Sequence, residues 1–213
     1  MPRYLDLQSW NRREHFHFFK TYAQPFFNIC AEVEIGPLLQ HCKARQLSFF
    51  IASLFLSTKT ANAIEPFRYR LRGEQVLVHD RVDAGSAVLN HDETFSFCYF
   101  DFTPDFLSFQ QNAERRLKEL AQGAGRFETR AGRDDLLYYS VIPWVSFTSF
   151  AHAQKSFADS SVPKIVFGKY HDVGGKIMMP VSVEVHHALM DGLHVGKFFE
   201  RLQQELLQPE ASL

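Results

Sequence analysis

VSVEVHHALMDGLHVGKFF, residues 181–199, is two structural elements joined by a turn. Up to His187 the pattern alternates. Val181, Val183, Val185 and His187 share one face, and Ser182, Glu184 and His186 share the other. That is a strand, and it extends back to Lys176. Asp191-Gly192 makes a tight turn. From Leu193 to Leu207 the period becomes helical, with Val195, Phe199, Leu202 and Leu206 inward. His187 therefore ends a strand on its apolar side, where partial desolvation favours a neutral imidazole. A neutral imidazole is a usable general base near pH 7. Two plainer readings fit the same residues. A strand-end histidine is often a satisfied core or surface residue. Alternatively His186, His187, Asp191 and His194 could gather a metal ion, although adjacent strand residues point to opposite faces and share one ion poorly.

The same periodicities, read outward, alternate strands and helices without strict βαβ order. Ser9 to Lys20 suits a short helix stopped before Pro25. From Phe27, the residues Ile29, Ala31, Val33 and Ile35 alternate with Asn28, Cys30, Glu32 and Glu34, a half-buried strand. Gly36-Pro37 starts a helix through Arg45, and Ser48 to Asn62 reads as a largely buried second one. Phe67–Leu71 and Gln75–Val78 form a hairpin around Arg72-Gly73-Glu74. Ala87–Leu89 and Phe95–Phe102 are further strands. Thr103 caps a helix with Pro104 at its first position, ending near Gly123. After a basic loop over residues 123–135, Leu137–Ile142 and Lys164–His171 are strands. The latter joins the Lys176 strand near Gly174-Gly175. This order favours a mixed sheet with helices on one face.

Composition narrows the class. The chain has 213 residues, 23 Lys and Arg against 24 Asp and Glu, and a formal net charge of −1. One domain over residues 1–213 is expected. The balance gives no electrostatic case for nucleic acid or an anionic membrane. Met1 to Asp6 lacks a secretory pattern and no stretch reaches the length of a membrane span, so a cytoplasmic protein is expected. Three well-separated cysteines, Cys30, Cys42 and Cys98, argue against a disulfide framework or a thiolate metal site. Phenylalanine is unusually frequent, at 22 residues. Such a chain needs a large aromatic core, an apolar interface or an apolar ligand pocket.

His186-His187-Ala-Leu-Met-Asp191-Gly192 resembles the HHxxxDG motif of the CoA-dependent acyltransferases. Three further segments narrow the resemblance to the chloramphenicol acetyltransferase family. Trp10-Asn-Arg-Arg-Glu-His-Phe16 looks like its W-x-R-[RK]-E-H-F opening. Tyr139-Ser-Val-Ile-Pro-Trp-Val-Ser-Phe-Thr-Ser-Phe150 looks like its S-A-x-P-W-V-x-F-x-S-F segment, and Phe167-Gly-Lys-Tyr170 like its [MA]-[GA]-K-Y piece. All four occur in the expected order, and the resemblance covers essentially the whole chain.

The resemblance implies an α/β two-layer sandwich, with one mixed sheet covered by helices. It implies transfer of acetyl from acetyl-CoA to a hydroxyl of chloramphenicol, which confers resistance to that antibiotic, and no metal. His187 matches the general base and Ser140 the hydroxyl that stabilises the tetrahedral oxyanion. Asp191 and Arg12 match a buried ion pair that fixes the loop after the catalytic strand, while the imidazole is oriented largely by its own backbone carbonyl. Trp144 and Tyr170 match CoA-tunnel positions. Phe18, Phe19, Phe95, Phe127 and Phe150 match or adjoin the acceptor pocket. The family usually has apolar residues at the positions of His152 and Gln154, a threonine at Val166 and a cysteine at Pro25, so the acceptor wall here is altered and more polar. The resemblance also implies a homotrimer, with His187 of one subunit facing Ser140 of the next. Another hydroxyl-bearing acceptor, or a non-catalytic binding protein of the same fold, are the alternatives.

Overall fold

In the computed structural model, residues 1–125, 127–130, 132–153 and 160–213 are described. The elements in chain order are β1 (Arg3–Tyr4), α1 (Arg13–Phe19), β2 (Phe26–Glu34), α2 (Gly36–Arg45), α3 (Phe49–Asn62), a 3-10 turn at Glu65–Arg68, β3 (Tyr69–Arg72), β4 (Gln75–Val78), β5 (Asp83–Leu89) and β6 (Phe95–Phe100). There follow α4 (Phe106–Ala121), β7 (Leu136–Ile142), β8 (Lys164–Gly168), β9 (His171–Val173), β10 (Lys176–His186), α5 (Gly192–Leu207) and a 3-10 turn at Pro209–Ala211.

The main sheet runs β2-β10-β8-β7-β5-β6, with β9 folded back on β10. It is mixed, as expected. β7 is parallel to both β5 and β8, and the other pairs are antiparallel. One face carries Val181, Val183, Val185, Ile165, Phe167, Leu137 and Tyr139, and it packs into the principal core with α2 to α5. α3 is buried nearly all round, as its apolar sequence requires, and Ser48 caps it by accepting from the Ile51 amide. Tyr139 ties the sheet to this helix: its hydroxyl meets Ser57 and Thr58 at 3.0 and 3.1 Å. No helix among the described residues is long and apolar enough to cross a membrane.

Several local expectations shift. The first helix starts at Arg13, not Ser9, because residues 7–9, 11 and 12 form turns. Asp105, not Thr103, caps α4; its carboxylate takes the Ser108 amide at 2.8 Å. On α5 the buried residues are Val195, Phe198, Leu202 and Leu206. Phe199 is only partly buried, one residue off the face that points at the core. The expected strand Lys164–His171 breaks into β8 and β9. At the break, a Cβ on Gly168 would lie 2.6 Å from Pro180 and 2.8 Å from Phe147, so only glycine fits. The β3–β4 hairpin turns at Gly73, with φ +58°, but it belongs to a second three-stranded sheet with β1. That sheet and α1 enclose a smaller core of Phe16, Tyr69, Val76, Val78, Ala188 and Leu189.

The second face of the main sheet positions Ser140 and part of the candidate site. Ser140, Tyr138, Lys164, Gly85, Ala87, Phe97 and Tyr99 line a cleft of about 840 Å³ on that face. Residues 129–130, 132–134, 152–153 and 160–162 form its rim. No helix covers it.

Candidate active site

β10 is buried on both faces, which the alternating pattern alone did not indicate. Ser182 is inaccessible and His186 only 2% exposed. The reason is tertiary: on the second face Asn28 donates to Ser182 Oγ at 2.7 Å, Lys164 pairs with Glu184 and Phe26 packs on His186. The ladder ends at His186, so His187 leaves the strand plane in the turn that leads to α5. The two histidines diverge. His186 packs edge-on against Phe26, and its Nδ1 accepts the Ala188 amide at 3.2 Å. Burial first, and the neighbouring His187 second, depress its pKa to about 4. The bonding and the burial together keep His186 neutral.

His187 is held by shape. Phe19 stacks flat on its ring at 3.8 Å and 5°, and Phe27 lies against it at 4.7 Å. Nδ1 is buried and has no hydrogen-bond partner among the described residues. The Phe19 and Phe27 rings form an aromatic clamp around the imidazole. The His187 carbonyl accepts from Arg12 Nη2 at 3.1 Å. The His187 amide donates to Pro25 O at 2.8 Å. Arg12 also pairs with Asp191. The guanidinium is buried while Asp191 is a third exposed, so the expected buried pair is buried on one side only. Burial pulls the Asp191 carboxyl upward, but Arg12 and then His194 outweigh it and hold its pKa below the usual carboxylate value. His187 thus has both backbone groups fixed and its ring sandwiched, which suits a base that must not swing.

Ser140 lies mid-way along β7. Val166, its register partner on β8, is fully buried. Val166 in turn pairs with Ser182 on β10, which lies five residues before His187. With about 3.3 Å per strand residue and about 4.8 Å between strands, the Cα atoms of Ser140 and His187 stand roughly 19 Å apart. They also differ in face. Ser140 shares the cleft side with Ser182, Glu184 and His186.

The other expected site residues divide between these two places. Phe18, exposed, and Phe19 sit beside His187, with Pro25. His152 lies in the Ser140 cleft, edge-on to Phe150 at 4.9 Å. Phe95 and Phe127 cluster with Phe97 at the far edge of the same sheet face. Gln154 falls outside the described residues. Trp144 and Tyr170 are both exposed. Their loops are tied by the Lys169 amide donating to Val145 O at 3.0 Å. Both follow the C-terminal ends of parallel strands, whereas β10 runs the other way, so they stand at the opposite end of the sheet from His187. Within one chain the expected site residues therefore fall into two separate groups. Among the described residues, no group of three His, Cys, Asp or Glu side chains comes together as a metal centre.

One feature of the cleft went unread in the sequence. Lys164 and Glu184 face each other across β8 and β10 and form a buried ion pair of 2.6 Å. Its signal was a carboxylate within the run Val181–Val185, a strand too apolar to leave it in water.

Comparison with known proteins adds a family and a fold. The model of the chloramphenicol acetyltransferase family matches residues 3–203. Chloramphenicol acetyltransferase 3 of Escherichia coli is 29% identical over 201 residues, covering 94% of both chains. Chloramphenicol acetyltransferase 2 of Haemophilus influenzae is 27% identical over 200 residues, covering 93% of this chain and 94% of the relative. A solved chloramphenicol acetyltransferase superposes with a TM-score of 0.86 at 28% identity, over 97% of this chain and all of the other. The dihydrolipoamide acetyltransferase of Azotobacter vinelandii shares the fold at a TM-score of 0.71 and 16% identity, over 93% and 87% of the two chains.

Proposed function

Because the chain belongs to the chloramphenicol acetyltransferase family, we propose that it acetylates a hydroxyl of chloramphenicol with acetyl-CoA and so confers resistance to the antibiotic. His187 takes the proton of the acceptor hydroxyl, and the oxygen attacks the thioester carbonyl. The tetrahedral oxyanion takes a hydrogen bond from Ser140 Oγ. Collapse expels the CoA thiolate, and the imidazolium of His187 returns the proton to sulfur. Arg12 and Asp191 hold the turn and do not exchange protons in the reaction. Trp144 and Tyr170 supply aromatic surface to CoA. Phe18, Phe19, Phe95, Phe127, Phe150 and His152 surround the acceptor. No step calls for a metal.

The carrying observation is the division into two groups, each half of a site. A base and an oxyanion donor must both lie about 3 Å from one reacting centre. A separation of roughly 19 Å within the sheet forbids that in one chain. A second copy supplies the missing half, and a closed three-fold ring of whole chains repeats that contact three times without leaving an end. Exposed aromatic residues beside each half-site, Phe18 and Tyr22 at one and Phe95 and Phe127 at the other, support such an interface. The reaction draws on acetyl-CoA, which supports a cytoplasmic setting.

The test is thiol release from acetyl-CoA with and without chloramphenicol, in the wild type and in His187→Ala. Chloramphenicol-dependent release is expected from the wild type. Loss of the base should reduce it by about 10²–10⁴-fold. A variant that keeps more than about a tenth of the activity removes His187 from this role.

A further inference from the structure

Lys164 and Glu184 lie on the same sheet face as Ser140, Lys164 one strand and Glu184 two strands away, both displaced by two residues, with roughly 8 Å between the Lys164 and Ser140 Cα atoms by strand geometry. The pair is nearly inaccessible, with side chains 11% and 8% exposed. Lys164 lines the cleft, and Phe26 packs its ring 5.0 Å from the ammonium. Among the described residues the ammonium donates to Glu184 alone, one of the three donors an ammonium carries. Across the same cleft, His152 Nε2 is buried and has no partner among the described residues.

Fold stability does not account for this arrangement. Replacing a buried ion pair by well-packed apolar residues is often neutral or stabilising. Nor does the arrangement suit a hydrocarbon ligand. Laying apolar surface over the ammonium and the imidazole would strip their remaining water and return no hydrogen bond. A ligand with its own hydroxyl or amide would restore what is lost.

We propose that the Lys164–Glu184 pair and His152 determine acceptor choice, selecting alcohols that carry a second hydroxyl or amide beside the reacting oxygen and rejecting hydrocarbon alcohols. This rests on the reading of the Ser140 cleft as the acceptor site of an acetyltransferase. Ser140 stabilises the reacting centre, and the charged pair reads the polar group next to it.

The test compares chloramphenicol, whose reacting hydroxyl has a second hydroxyl and an amide as neighbours, with 1-decanol. The wild type is set against the double variant Lys164→Met, Glu184→Leu, and against His152→Leu. Binding is measured by calorimetry and turnover by thiol release from acetyl-CoA. In the double variant, Kd and KM for chloramphenicol should rise about 10- to 100-fold, while those for decanol fall. His152→Leu should move both in the same direction by less. Thermal unfolding checks that the double variant remains folded, and if it does not, His152→Leu carries the comparison. An unchanged preference in the folded variants overturns the proposal. A wild type that binds chloramphenicol over decanol but transfers no acetyl would leave the selectivity standing and reject the acetyltransferase reading instead.

Discussion

Mixing His187→Ala subunits with Ser140→Ala subunits should restore activity that neither protein has alone. Ser140 pairs with Val166, and Val166 with Ser182, five residues before His187. No rotamer change closes the resulting gap of roughly 19 Å. If each site in a ring takes its base from one subunit and its serine from the next, random mixing of equal amounts leaves about one site in four intact, joining a sound His187 to a sound Ser140. The expected recovery is therefore about a quarter of wild-type activity per subunit, against parents each reduced at least about 10²-fold. The two proteins are dissociated in mild denaturant, mixed and reassembled. Sedimentation should report about three times the 24.6 kDa subunit, and mass spectrometry of differently tagged chains should confirm mixed rings. Confirmed mixed trimers with no recovery would refute the shared site. So would a fully active wild-type monomer.

Ser140→Ala should lower kcat by about 10²–10³-fold with little change in CoA affinity; a defect confined to binding would place Ser140 in recognition instead. His186→Gln should leave kcat within severalfold of the wild type, because the ring faces Phe26 and the turn rather than the His187 side. The same residue predicts acid sensitivity. Its folded pKa, near 4, lies below the ordinary histidine value, so the unfolded chain binds the extra proton. Stability should fall as pH drops below about 6.5, by up to ~3 kcal/mol by pH 4, and denaturant titrations should show a flatter pH dependence in His186→Gln. Arg12→Ala should cost about 1–3 kcal/mol, since it leaves Asp191 without its main counter-charge. The folded pKa of Asp191 is depressed, so the pair contributes fully above the ordinary carboxylate value and is lost as pH falls through the folded one. The gap in melting temperature between wild type and Arg12→Ala should therefore close on acidification, and a gap that holds at low pH would exclude the ion pair as its source.

Local elements were legible in residues 181–199 and their neighbours because their causes are local. Side-chain direction alternates along a strand whatever surrounds it, and Asp191-Gly192 ends one period before the next begins. The four motifs likewise placed the chain in its family, and with it the sheet and the candidate base. Strand order and register are different in kind. They follow from burial summed over segments more than a hundred residues apart, as β2 packs beside β10. Only the folded chain shows that β10 is covered on both faces, that Phe198 rather than Phe199 enters the core, and that an aromatic clamp holds His187. The pairing of Lys164 with Glu184 is of the same kind, since two strands that meet antiparallel bring together charges twenty residues apart. So is the distance between Ser140 and His187: their identities stand in the motifs, but their separation is a sum of register and strand spacing, which no stretch of sequence contains.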